Sequence, residues 1–227
     1  MALKILTSNS TLTILQALLP ACEQSSGDTI EISADSAKGM VARIRAGETG
    51  DLIVLGDGAV RELAADGLVN PGSIRAFALA VVGIGVRTGT QHPDISSVTA
   101  LRGTLLAARA IAHTVHGASG MYIPVLFEKL GIAHEVREKI VTRPGGYIGR
   151  VVVSGEADIA LQQIPELLAV PGLDCVGPLP DAVQKSFATS IAVSSASPRA
   201  AAAQRLIEFF ASPAHAPLFR TKGLQQA

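Results

Sequence analysis

Apolar and polar positions along the chain switch repeatedly between a period of two and a period near 3.6. Lys4 to Leu6 reads as a first strand, ending at the polar turn Thr7-Ser8-Asn9-Ser10. Ile14, Leu15, Leu18 and Cys22 follow at helical spacing, with Ser10 as N-cap and Pro20 expected to kink or shorten the helix. Gly27-Asp28 makes a turn, and Thr29 to Ser33 alternates as a strand does. Met40, Val41 and Ile44 mark a second helix, stopped near Gly47. Asp51 to Leu55 is a short apolar run, the pattern of a strand covered on both faces. A helix from Val60 to Ala65 ends at Gly67. This order of strands and helices predicts a parallel sheet with right-handed crossovers.

Phe77 to Val86 is a long apolar strand with glycines at 83 and 85. A second series follows: a helix over 98–108, a strand over 110–114, a helix from Ser119 to Leu130 closed by Gly131, and a short strand near Ile140. Then come a helix over 147–154 and a strand over 159–162. Phe187 to Val193 is another long strand, and the last helix opens at Ser197-Pro198 with Leu206, Phe209 and Phe210 on its apolar face. The two long strands read as hinge crossings. The expected architecture is an α/β two-lobed clamshell, each lobe a mostly parallel sheet flanked by helices. Lobe one holds residues 1–78 and 188–227, and lobe two holds 79–187.

In open parallel sheets ligands sit at the carboxyl ends of strands, where helix N-termini present unpaired N–H groups and partial positive charge. Three turns fit that role: Thr7-Ser8-Asn9-Ser10, Asp35-Ser36-Ala37-Lys38 and His116-Gly117-Ala118-Ser119-Gly120. Each serine also reads as a plain helix cap, and Asp57, after the third strand, reads as a cap too. In Arg143-Pro144-Gly145-Gly146-Tyr147-Ile148-Gly149-Arg150 the glycines suit a nest of N–H groups, and Arg143 or Arg150 can pair with a carboxylate. Gln162 and Gln163 end a strand, so one of the two is expected to face a ligand. His113 and His116 flank a strand end, and either is a candidate acid or base. No third ligand stands near them, so no metal is expected.

Composition narrows the partners. Nineteen basic and nineteen acidic side chains give a net charge of zero, which leaves no field for a nucleic-acid backbone. Any anion site must then be local. With 48% hydrophobic residues the chain can fill a large core, yet no run is long enough for membrane insertion. Cys22 and Cys175 lie far apart and lack metal-site spacing, and two unpaired thiols are expected. Nucleophile-elbow, phosphate-loop and dinucleotide-binding patterns are absent, so no cofactor is expected. The chain enters a strand at once, with no basic leader and no apolar signal segment; as written it reads as cytoplasmic, or as periplasmic after removal of a leader.

The turns at 7–10 and 33–37, with Ala118-Ser119-Gly120-Met121-Tyr122 and Ser154-Gly155-Glu156-Ala157-Asp158, resemble the molybdate-binding type of extracellular solute-binding protein. The resemblance spans nearly the whole chain and implies the type II periplasmic-binding fold. It implies that Ser10, Ser36, Ala118 and Ser119 wrap a small anion. It also implies a membrane transporter as partner of an exported protein. Gln163 stands where the family often has a tyrosine, and the second turn carries Asp35, which Lys38 would have to offset. The chain is similar as well to aconitate isomerase, an enzyme on the same scaffold. That likeness implies a proton shift within an unsaturated carboxylate; by residue type and place, His113 or His116 is the candidate base.

Overall fold

The structure, a computed structural model, describes residues 2–227. Its elements are β1 (Leu3–Ser8), α1 (Asn9–Ser26), β2 (Ile30–Asp35), α2 (Ala37–Arg45), β3 (Leu52–Gly56), α3 (Asp57–Ala65) and β4 (Arg75–Arg87). There follow α4 (Val98–Ala107), β5 (Ile111–Thr114), α5 (Ala118–Lys129), α6 (Ala133–Val136), β6 (Ile140–Arg143), α7 (Gly149–Val153), β7 (Ile159–Gln163) and α8 (Ile164–Leu168). The chain continues through β8 (Leu173–Pro178), β9 (Ser186–Val193), α9 (Ala200–Phe210), α10 (Ala216–Thr221) and β10 (Gln225–Gln226). It divides into two compact units, Met1–Leu79 with Phe187–Ala227, and Ala80–Ser186.

In the first unit β1 lies between β2 and β3, parallel to both, and β9 runs antiparallel to β3. β3 is apolar from Leu52 to Leu55, and β1 is apolar at Leu3, Ile5 and Leu6, because helices cover both faces; all seven residues are essentially inaccessible. Leu6, Ile53 and Leu55 pack with Met40 and Ile44 of α2 and Val60 and Leu63 of α3. Phe77 meets Phe210 and Phe219 edge-on, which fixes α9 and α10 to the start of β4. Asp51 ties the strand starts together, accepting from the Lys4 N–H at 2.8 Å and the Ser197 hydroxyl at 2.6 Å.

Three local expectations need correction. α1 runs through Pro20 to Ser26 and ends on Gly27 in the left-handed region, φ 71°. Pro20 and Gln16 are both exposed, so water can serve the Gln16 carbonyl that the proline leaves without an N–H. The N-cap of α1 is Ser8, not Ser10. The last long helix begins at Ala200 rather than at Ser197-Pro198, since the Ser197 hydroxyl already bonds Asp51 and the Arg199 N–H.

In the second unit β5 is parallel to β6 and β7, while β4 is antiparallel to β7 and β8. Each sheet is thus mixed, a parallel centre closed by one long antiparallel strand. β8 and α8 have no counterpart among the expected elements. Their place depends on the glycines of β4: a Cβ at Gly83 would sit 2.7 Å from Ile164 and 2.8 Å from the Gly177 carbonyl, and one at Gly85 2.7 Å from Leu173. Bare backbone at 83 and 85 is what lets α8 and β8 lie on β4. Gly83→Ala, which presses on a main-chain carbonyl that cannot swing away, is expected to cost about 1–3 kcal/mol of stability in urea unfolding; an unchanged midpoint would show that β8 gives way freely.

Candidate anion-binding site

The turns that end β1 and β2 differ in what they leave open. At the start of α1, Ser8 adopts an extended conformation and its side chain makes no cap bond. Its hydroxyl lies 3.0 Å from that of Ser10, and the Thr7 hydroxyl is 2.7 Å from that of Thr11 and donates to the Val54 carbonyl. Ser8 and Ser10 are buried and Asn9 is half-buried. This is a cluster of small hydroxyls at a helix N-terminus.

At the start of α2 the corresponding donors are engaged. The Ser36 hydroxyl accepts from the Gly39 N–H at 3.1 Å, and the Ser36 N–H donates to Asp35 Oδ1 at 2.6 Å. Ser36 therefore acts as a cap, and Asp35 takes the N–H that an external anion would need. Lys38 is exposed and has no ion pair among the described residues; Arg43, 3.4 Å from Asp35, offsets that acid instead. Asp57 likewise is held by Arg61 and the Ser190 hydroxyl, and Arg61 foremost keeps its carboxyl below the usual range.

The second unit carries the more open arrangement. α5 starts against the end of β5 so closely that a Cβ on Gly120 would lie 1.9 Å from the Thr114 carbonyl oxygen. A Cβ on Gly117 would meet the Thr114 hydroxyl at 2.7 Å. Thr114 and Ser119, each 1% exposed, have side-chain hydroxyls without a hydrogen-bond partner among the described residues. Ala118 is the first residue of the helix and is half-buried.

His113 and His116 part company. His113 is buried with Nδ1 2.9 Å from the Thr114 carbonyl, an arrangement in which Nδ1–H donates and Nε2 keeps its lone pair. Burial pushes its pKa down, so the ring is neutral. His116 is exposed, and its N–H donates to the Pro144 carbonyl.

The glycine-rich run is held from β7. Gln162 Oε1 accepts from the Ile148 N–H at 2.9 Å, and its Nε2 donates to the Gly146 carbonyl at 2.8 Å. Gln162 thus clamps the loop. Arg143 is committed to an exposed pair with Glu156 at 2.6 Å and is not brought to the group. Arg150 lies over the Tyr147 ring at 5.6 Å and has no acidic partner among the described residues. Gln163 is buried, and its Nε2 is 3.4 Å from Glu166.

Glu166 is the residue that pattern reading missed. It is 6% exposed in the first turn of α8, and burial raises its carboxyl pKa to about 8 against the opposing pull of the Gln163 backbone and the two glutamine side chains. Burial and Glu166 together raise the Tyr147 hydroxyl. The sequence signal was present: Gln163-Ile164-Pro165-Glu166 has proline near a helix start and an acid three residues after the N-cap.

Against known proteins, the family model described as bacterial extracellular solute-binding protein matches residues 3–225. An aconitate isomerase from Pseudomonas sp. is 31% identical over 98% of this chain and 87% of its own length. Among solved structures, the periplasmic molybdate-binding protein of Azotobacter vinelandii aligns at TM-score 0.81 and 18% identity over 98% of both chains. The sulfate-binding protein SubI of Mycobacterium tuberculosis aligns at 0.79 and 17%, covering 100% of this chain and 87% of that one.

The Glu166 carboxyl gives a stability prediction. Its folded pKa, about 8, lies above the ordinary 4.5, so the folded state holds a proton that the unfolded state has released. The stability this contributes is complete at low pH and is lost as pH rises through about 8. Glu166→Gln is expected to gain on the wild type in unfolding free energy as pH climbs across that window; parallel curves would place Glu166 in contact with water.

Proposed function

This chain belongs to the bacterial extracellular solute-binding protein family, and from that premise we propose that it binds a small anion, an oxyanion or an organic carboxylate, at its strand-end turns. The observation that carries the reading is the pair of buried hydroxyls, Thr114 and Ser119, left without partners where α5 begins. An unmade hydrogen bond in a protein interior costs about 1–3 kcal/mol, and a helix N-terminus adds partial positive charge at the same place. An anion removes the first cost and gains from the second. Arg150, stacked on Tyr147, supplies a full charge suited to a carboxylate. Within the first unit, the hydroxyls and N–H groups of Ser8, Asn9 and Ser10 are proposed as anion donors in their own right.

Family membership makes a membrane transporter the proposed partner of an exported form. No helix among the described residues is long and apolar enough to cross a membrane.

A second reading, isomerisation of an unsaturated di- or tricarboxylate, has its own observation: the likeness to an aconitate isomerase across nearly the whole chain. The chemistry is a proton shift. A base removes a proton from the carbon beside a carboxylate, donors stabilise the resulting dienolate, and the proton returns at the far end of the allylic system. His113, neutral with a lone pair on Nε2, is the proposed base.

Three measurements test these readings. Ser119→Ala is expected to raise the unfolding free energy of the ligand-free protein by up to about 1–3 kcal/mol, since it removes a buried hydroxyl that has no partner among the described residues, while weakening anion binding by about 1.5–3 kcal/mol. Unaltered binding would remove α5 from the site. Arg150→Ala is expected to weaken carboxylate binding by about the same 1.5–3 kcal/mol and to spare molybdate. Equal losses for both anions would make Arg150 a general counter-charge. Proton spectra of trans-aconitate with the protein in heavy water separate the two functions: deuterium exchange or isomerisation establishes the enzyme, and a ligand-induced thermal shift without turnover establishes the binder.

A further inference from the structure

Glu166 is a carboxyl placed at the end of β7 among the groups proposed to meet a ligand. On β7, Gln163 Nε2 is 3.4 Å away, and Gln162 is fixed to Gly146 and Ile148. From the glycine-rich loop, Tyr147 is near enough for Glu166 to raise its hydroxyl, and Arg150 lies over the same ring at 5.6 Å. On β8, which packs against α8, Asp174 is bonded to Thr88 and His92, and Cys175 is half-buried with its thiol raised by burial. No guanidinium or ammonium is paired with Glu166 among the described residues. An ionised carboxylate so enclosed would set a negative charge, unpaired among the described residues, beside groups proposed to meet a negative ligand. A neutral carboxyl removes that charge and adds an O–H donor.

We propose that Glu166 is a proton-linked selectivity group: with its carboxyl protonated the site accepts a fully ionised anion, and with it ionised the site rejects that anion. This rests on the anion-binding reading above. Two consequences follow from Glu166 alone. Binding should draw a proton onto the protein wherever Glu166 is partly ionised in the free form. The binding-competent fraction then falls with pH, so the apparent dissociation constant rises about tenfold per pH unit above the pKa of the group. Burial places that pKa at about 8, so the effect falls within the range of the titration below.

The experiment is isothermal titration of the protein with molybdate and with trans-aconitate from about pH 7 to about pH 10, in pairs of buffers that differ in ionisation enthalpy. The expected result is proton uptake on binding and affinity that declines about tenfold per unit at the alkaline end. Glu166→Gln, which mimics the neutral acid in shape and charge, is expected to bind at every pH as the wild type does near pH 7, without proton uptake. A wild-type affinity flat across the range overturns the proposal, as does a folded Glu166→Gln protein that no longer binds or keeps the alkaline loss. Should that variant fail to fold, proton uptake by the wild type decides alone. Absence of binding by either probe at every pH overturns the anion-binding reading, and this inference with it; binding without a proton link overturns this inference only.

Discussion

The site depends on one steric fact, that α5 begins too close to the Thr114 carbonyl for residue 120 to carry a side chain. Glycine there lets the helix start abut the strand end, and that contact buries the Thr114 and Ser119 hydroxyls before either has found a partner. Comparison with α2 shows why this matters. Both helices start at the end of a parallel strand, and both point a positive dipole end outward. At α2 the chain has answered its own donors with Asp35 and the Ser36 hydroxyl. At α5 it has not. A helix N-terminus is common; one whose adjoining hydroxyls are buried and left unmatched is the unusual feature on which the proposed anion site rests.

Charge is arranged to the same end. The net charge is zero, and most of the arginines with ionic contacts face exposed acids, Glu156 for Arg143 and Asp158 for Arg109 among them. Little long-range attraction is left over, so recognition must come from short contacts. In such a site a buried acid matters more than it would on a basic surface, because no basic side chain among the described residues is paired with it. Glu166 meets that constraint by holding its proton rather than by finding a partner.

Much of this was legible in the chain. Alternation and helical stripes located the parallel strands, the helices between them and the two long strands, because burial on one face or both imposes a period that polar surfaces do not. The turns at Ser8 to Ser10 and at Ala118 to Gly120 could be read as helix starts at strand ends. What could not be read was which donors remain available. Ser36 and Ser119 look alike in sequence, yet one caps its own helix and the other has no partner, a difference that turns on Asp35 and on the approach of β5 to α5. Arg143 and Arg150 look alike too, and only the Glu156 contact separates them. Gly83 and Gly85 looked like incidental small residues within a strand; their meaning lies in Ile164, Gly177 and Leu173, far along the chain. Glu166 escaped notice for the same reason, since its burial depends on elements whose packing the local pattern does not encode.

Burial also bears on whether binding and proton transfer are separate designs. Removal of water raises an acid and lowers a base, so an enclosed carboxyl and an enclosed imidazole are driven toward each other's range without any dedicated charge. Glu166 and His113 have moved in those opposite directions within one unit. A scaffold that encloses an anion to hold it therefore already brings its buried titratable groups near the proton affinities that general acid–base chemistry needs. What divides a receptor from an isomerase on such a scaffold is then geometric: whether the carbon beside the bound carboxylate comes within reach of a neutral imidazole nitrogen.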